Sequence, residues 1–254
     1  MSVDFSYSVV LVTGGTRGIG AAIAAAFGAG GAQVVVCGRR EPGQLPNNVT
    51  FLAADLRDPV QAAEVVKATV DRHGRLDVLI NNAGGTAPKL AAELAPERAK
   101  EIVTLNLLTP FYVAQAANAI MQDQPQGGTI INVGSTAELR PAPGVALYGA
   151  AKAGLLGLTR SLALEWGPKV TVNMVTPGPV YTDGAARHYG GDSGVQAVSE
   201  TIPAGRMAGP GDIAGPCLML ASPLARYVSG AELRIDGGGE KPGWLVALEG
   251  ATSG

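Results

Sequence analysis

The 254-residue chain predicts one doubly wound α/β domain, a parallel sheet with helices on both faces in three layers. Two patterns carry that expectation. Short β-branched runs alternate with alanine-rich helical stretches from end to end. The runs are near-continuously apolar, as strands buried on both faces are. No linker-like stretch divides the chain, so a single domain over 1–254 is expected.

The strand runs are Val9–Thr13, Gln33–Cys37, Val49–Ala53, Leu76–Asn81, Thr129–Val133, Val170–Val175 and Glu232–Ile235. Helical stretches fall near 18–30, 59–73, 96–122, 147–166 and 211–221. Asp58-Pro59 is a good entrance to the second of these, a capping carboxylate followed by proline at the first helical position. His73 reads as a helix C-terminal residue before a glycine cap at Gly74. Two irregularities interrupt the alternation. Gly38–Asn48, with Pro42, Gly43 and Pro46, leaves no room for a full crossover helix, so a short turn is expected. The stretch 178–209 is rich in Gly and Pro and carries Tyr181, Arg187, His188 and Tyr189, which reads as a lid or substrate loop with His188 facing solvent.

Composition narrows the function classes. Hydrophobic residues make up 46% of the chain and charged ones 16%, enough apolar side chains for a sizeable core. A net charge of −2 gives no electrostatic case for nucleic acid or an anionic membrane. No run of about 18 uninterrupted apolar residues reads as membrane-spanning, and no basic segment leads into an apolar h-region. Cys37 and Cys217 share no motif and read as small buried hydrophobes. With two histidines and no Cys/His cluster, no metal is expected, and a cytoplasmic setting is.

The unusual polar and glycine clusters fall just after the carboxyl ends of strand runs, where open parallel sheets bind ligands. Thr13-Gly14-Gly15-Thr16-Arg17-Gly18-Ile19-Gly20 leads straight from the first strand into a helix, a turn that lets backbone N–H groups and a helix N-terminus approach a pyrophosphate. Its spacing departs from the common Gly-x-Gly-x-x-Gly fingerprint. After the second strand stand Arg39 and Arg40, where NAD sites usually place a carboxylate. Guanidiniums suit a 2′-phosphate, with Arg17 adding charge, so NADP(H) is preferred and NAD(H) is the alternative. Asp55, with Leu56 beside it, can accept from an adenine amino group. Asn82, Ala83 and Gly84, after the fourth strand, would let a cofactor lie on the backbone.

Tyr148 and Lys152 are four residues apart, which on a helix puts phenol and ammonium on one face. A neighbouring ammonium favours phenolate and draws a phenol pKa down from about 10, toward the range that acid–base chemistry needs. Ser135 stands upstream, at the end of the fifth strand. Asn106 has a reading of its own: Pro110 lacks an N–H, so the Asn106 carbonyl four residues back is left free in a kinked helix.

The glycine turn, Asn81-Asn82-Ala83-Gly84, Ser135 and Tyr148-x3-Lys152, in that order, resemble the short-chain dehydrogenase/reductase family over roughly residues 7 to 240. The resemblance implies a Rossmann-like seven-stranded parallel sheet and hydride exchange between a nicotinamide and a carbonyl/alcohol pair. It implies Tyr148 as proton donor and acceptor, Lys152 as the residue that holds the nicotinamide ribose and lowers the Tyr148 pKa, and Ser135 as the substrate-oxygen partner. It also implies Pro177, Gly178, Val180 and Thr182 at the carboxamide, and an Asn106 carbonyl holding a relay water. A homotetramer or homodimer is implied, with helices near 96–122 and 147–166 packing as a bundle. Leu155, Leu158 and Leu162 are compatible with that bundle and equally with packing on the sheet.

The expected substrate is a small-to-medium ketone or secondary alcohol, including 3-oxoacyl-type groups. Its pocket would be lined by Pro141, Ala142, Val145, Pro179, Tyr181 and residues of 184–207. Three rivals share the fold: a non-catalytic nucleotide-binding regulator, a lyase or dehalogenase, and an NAD-dependent alcohol dehydrogenase. The tail 237–254 runs past the family's usual ending, and Trp244 and Leu245 would be costly if exposed, which suggests packing on the substrate loop or a neighbouring subunit.

Overall fold

The computed structural model describes residues 4–182, 184 and 189–252. Seven strands form one sheet: β1 Val9–Thr13, β2 Gln33–Gly38, β3 Val49–Ala53, β4 Val78–Asn81, β5 Gly128–Val133, β6 Val170–Pro177 and β7 Glu232–Ile235. Their order is β3-β2-β1-β4-β5-β6-β7, and every pairing is parallel. The order reverses between β1 and β4, which opens a crevice at their carboxyl ends.

Helices cover both faces: α1 Gly18–Ala29, α2 Pro59–His73, α3 Pro96–Val103, α4 Thr109–Asp123, α5 Ala146–Glu165, α6 Asp192–Thr201, α7 Pro210–Ala221 and α8 Gly243–Thr252. Side-chain alternation along β1 explains the two cores. Val10 and Val12 pack with Ile23 and Phe27 of α1 and Ile213 and Leu220 of α7. Leu11 faces the opposite side, with Val65 of α2, Val113 of α4 and Leu162 of α5. Each such side chain, withdrawn fully from water, contributes roughly 1.5–3 kcal/mol.

Local rules account for most element ends. Asp58 Oδ1 accepts from Val60 N at 2.9 Å ahead of α2, and Gly74 closes that helix at φ 77°. The segment 39–48 forms no helix, as its prolines require. β4 begins two residues later than expected because Gln124 holds Leu76 by both backbone groups, at 2.8 and 2.9 Å, so Leu76 has no strand neighbour.

Two expectations need correction. The helix expected over 96–122 is broken by a π-helical turn, Thr104–Leu108, where the Thr109 N–H reaches back to the Thr104 carbonyl. Pro110 supplies the cause, a missing donor that the helix accommodates by widening. The stretch 178–209 contains α6, and the tail contains α8, both too polar or too glycine-flanked to be read as helices. Leu155 and Leu162 are buried, and Leu158 packs against the core between α5 and the sheet, in line with the sheet-packing alternative. Trp244 is 67% exposed in the single chain, and Leu245 is half-buried.

Candidate active site

The crevice is built from β1 and β4 outward. Thr13 Oγ1 accepts from the N–H groups of Asn82 and Ala83, both at 3.0 Å, and Asn82 Nδ2 donates to the carbonyls of Thr13 and Gly14 at 3.0 and 3.1 Å. Asn82 therefore stitches the two loops together, and Thr13, which sequence reasoning passed over, is its partner. The turn runs from Gly14 to Gly18, where Gly18 at φ 54° adopts a left-handed conformation that only glycine takes readily. α1 starts there with no side-chain cap from Arg17, which leaves its first N–H groups and positive dipole end aimed into the crevice. Thr182 overhangs the turn: a Cβ built on Gly18 would lie 3.5 Å from Thr182 Cγ2. The β6 end is fixed by Gly178 N donating to Ile235 O at 3.0 Å, and the following segment pairs Val180 with Ala208.

Beside this turn, Arg17, Arg39 and Arg40 are exposed. Asp55, expected to accept from adenine, already has a partner within the chain. Its oxygens take the Arg57 guanidinium, with Nε at 2.9 Å from Oδ1, and the Arg57 N–H at 3.2 Å. Those bonds hold the Asp55 carboxyl below its usual range. Leu56 is buried behind it.

At the other end, β5 delivers Ser135 and α5 delivers Tyr148 and Lys152. Ser135 opens a short 3-10 turn as a capping box: its Oγ accepts from Ala137 N at 3.2 Å, and Glu138 Oε2 accepts from Ser135 N at 3.2 Å. The Ser135 hydroxyl also faces the Tyr148 phenol and lowers its proton affinity. Lys152 is only 3% exposed and donates to the Val133 carbonyl at 2.7 Å, with Nζ 5.9 Å from the Tyr148 ring centroid. A Cβ on Gly84 would fall 2.8 Å from Asn106 Oδ1 and 3.4 Å from Lys152 Nζ, so this glycine permits the floor of the crevice to pass between them. Asn106 sits inside the π-helical turn, wholly buried. Its carboxamide clasps the loop after β4, accepting from Gly85 N at 2.8 Å and donating to Gly85 O at 3.2 Å and Ile102 O at 2.9 Å. That side-chain role was not legible beforehand.

Burial reverses one expectation. The low-dielectric surroundings push the Tyr148 phenol above its ordinary value; the Ser135 hydroxyl pulls it back, and Glu138 and Tyr189 push it further up. Burial instead drives the Lys152 ammonium down to about 8, opposed by the charge of Glu138. A phenol and an ammonium close together do not settle the phenol's acidity when both have left water.

A cavity of about 280 Å³ adjoins Tyr148, lined among others by Thr86, Ala87, Leu94, Ile102 and Val145. Among the described residues of the expected lining, Val145 takes part; Pro141, Ala142, Pro179 and Tyr181 do not line it. The segment after β4 forms the wall instead, docked on the entrance to α5 by Lys89 N donating to Gly144 O at 2.7 Å. Arg140 pairs with Glu240 at 2.5 Å, joining the loop after β5 to the tail. Arg187 and His188 lie outside the described residues.

Residues 14–240 match the family model described as enoyl-(acyl carrier protein) reductase. The 3-oxoacyl-[acyl-carrier-protein] reductase of Vibrio cholerae is 38% identical over 237 residues, covering 91% of this chain and 96% of that protein. A 3alpha-hydroxysteroid dehydrogenase of Mediterraneibacter gnavus is 36% identical, covering 90% and 95%. Among solved structures, a Serratia marcescens short-chain dehydrogenase/reductase double mutant superposes with a TM-score of 0.84 at 33% identity, covering 94% and 99%.

Proposed function

The chain belongs to the short-chain dehydrogenase/reductase family and is a nicotinamide-dependent ketone/alcohol oxidoreductase; from that premise we propose an NADPH-dependent carbonyl reductase in which Tyr148 donates the proton. One observation carries the reading. The Ser135 hydroxyl, the Tyr148 phenol and the Lys152 ammonium converge at the carboxyl edge of the sheet, beside a glycine turn whose helix N-terminus is uncapped.

The residues fit a dinucleotide. Gly14, Thr16, Gly18, Ile19 and Gly20 would cradle its pyrophosphate, and Asn82, Ala83 and Gly84 would form the floor under it. Pro177, Gly178, Val180 and Thr182 would border the carboxamide. Arg39 and Arg40, with Arg17, would meet a 2′-phosphate, while Asp55 is engaged mainly by Arg57. Leu56 backs the adenine side. Bound there, the nicotinamide would supply the hydride.

The protein's own groups handle the proton. Ser135 holds the carbonyl oxygen against Tyr148. The raised proton affinity of Tyr148 keeps the phenol protonated at neutral pH, as a donor in reduction must be. Lys152, titrating at about 8, is mostly cationic at neutral pH and stands ready to hold a ribose hydroxyl and replenish the phenol's proton through the Asn106 region. The mainly apolar cavity beside Tyr148 favours a ketone or 3-oxoacyl-type group over a polyanion. We place the enzyme in the cytoplasm as a homotetramer or homodimer, in keeping with its relatives' family. Fluorescence titration with NADPH and NADH, followed by a carbonyl panel read at the nicotinamide absorbance, tests the proposal. NADPH should bind at least about tenfold tighter and be oxidised by ketones; binding of neither nucleotide would overturn it.

A further inference from the structure

We propose that Glu138 is a positioning residue for proton transfer: its carboxylate clamps Ser135 from behind and supplies the negative charge that keeps Lys152 and Tyr148 protonated at neutral and mildly alkaline pH. The proposal rests on the proton-transfer roles given above to those two residues.

A glutamate three residues after a serine reads as half of a capping box, and such a side chain would normally lie along the surface. Glu138 instead turns inward, half-buried against the ends of β6 and β7. Oε2 accepts from Ser135 N at 3.2 Å, and Oε1 accepts from Thr176 Oγ1 at 2.9 Å, a hydroxyl that is itself fully buried. The second bond belongs to no cap. It anchors the carboxylate between two strands, at the back of the residue that touches Tyr148.

The groups facing Glu138 come from three elements. Lys152 and Tyr148 face it from α5, Thr176 from β6, and Glu232 from β7. Lys152 is the cation among them, and Glu138 is the charge that works against burial to keep Lys152 protonated. Toward Tyr148 the same charge acts in the same sense, disfavouring phenolate. Burial pushes the Glu138 carboxyl itself up to about 7, with Glu232 adding to the rise and Thr176, Ser135 and Lys152 opposing it. Its charge therefore develops in the pH range just below that in which a buried ammonium titrating at about 8 starts to lose its proton. A neutral glutamine could hold the Ser135 backbone, but it could not do this.

The test uses the full chain carrying Glu138→Gln, with NADPH and ethyl acetoacetate as the probe ketone. The variant should lose less than about threefold in kcat/KM near pH 6 and about tenfold near pH 9, because the alkaline limb moves down by about one unit. NADPH affinity followed by fluorescence should fall about one unit earlier on the alkaline side, a readout that needs no turnover. A loss of the same size at every pH, or an unmoved limb, would overturn the proposal and leave Glu138 a cap. Thr176→Val covers the event that the glutamine variant does not fold. It keeps the charge but removes a bond that favours it, so the limb should move the same way by a few tenths of a unit, and an unmoved limb would count against the proposal. Wild-type protein that binds no NADPH would instead sink the reductase reading itself.

Discussion

At the glycine-turn end of the crevice, Arg17, Arg39 and Arg40 stand in water; at the other end, Lys152 is 3% exposed and Tyr148, Ser135 and Glu138 close around it. Both ends gather ionisable groups, but they use them differently. The exposed guanidiniums keep fixed charges that a phosphate can find by Coulomb attraction, and salt will weaken them. The enclosed groups have proton affinities displaced by burial, two of them to within about a unit of neutrality. On the proposed reading, one end would recognise by charge and the other would transfer protons by environment. Variants at the two ends should therefore fail in different ways.

The largest effect is expected from Lys152→Met, which preserves length and removes the ammonium that satisfies the Val133 carbonyl. Reduction of a ketone should fall by about three orders of magnitude, with weaker NADPH binding as well. A loss confined to binding, with kcat intact, would place Lys152 outside proton transfer. At the opposite end, Arg39→Ala should cut the preference for NADPH over NADH by roughly 10- to 50-fold and leave kcat with NADPH at saturation unchanged. Equal weakening of both nucleotides would move the phosphate contact elsewhere, to Arg40 or Arg17.

The smallest effect is one of stability. The folded protein holds the Glu138 proton more tightly than an unfolded chain does, with a pKa of about 7 against an ordinary 4.5. That contribution is fully present below about 4.5 and is lost as the pH rises through about 7. The thermal midpoint should decline over that window, and the decline should flatten in Glu138→Gln. An equal slope in both proteins would show that Glu138 titrates normally.

The sequence made the fold and the exposed end legible because their signals are local. Seven apolar runs, a glycine turn and two consecutive arginines need no knowledge of what lies across the sheet. The same holds for Pro110, whose missing N–H foretold a helix defect at Asn106, found as a π-helical turn. The enclosed end was legible as a motif and not as an environment. Tyr148 and Lys152 were recognisable from their spacing, yet the direction of the phenol's shift came out reversed, because burial is set by elements remote in sequence. Glu138 escaped notice for the same reason: its second partner, Thr176, lies 38 residues away. α6 and α8 were missed because glycine-rich flanks masked short helices. Nothing in the local pattern announced that Arg57 would fold back onto Asp55.

The comparison turns on whether the enclosed phenol delivers the proton. Tyr148→Phe should bind NADPH with affinity within about twofold of wild type, since the exposed end is untouched, while ketone-dependent NADPH oxidation falls to background. Undiminished ketone reduction in that variant would contradict the account.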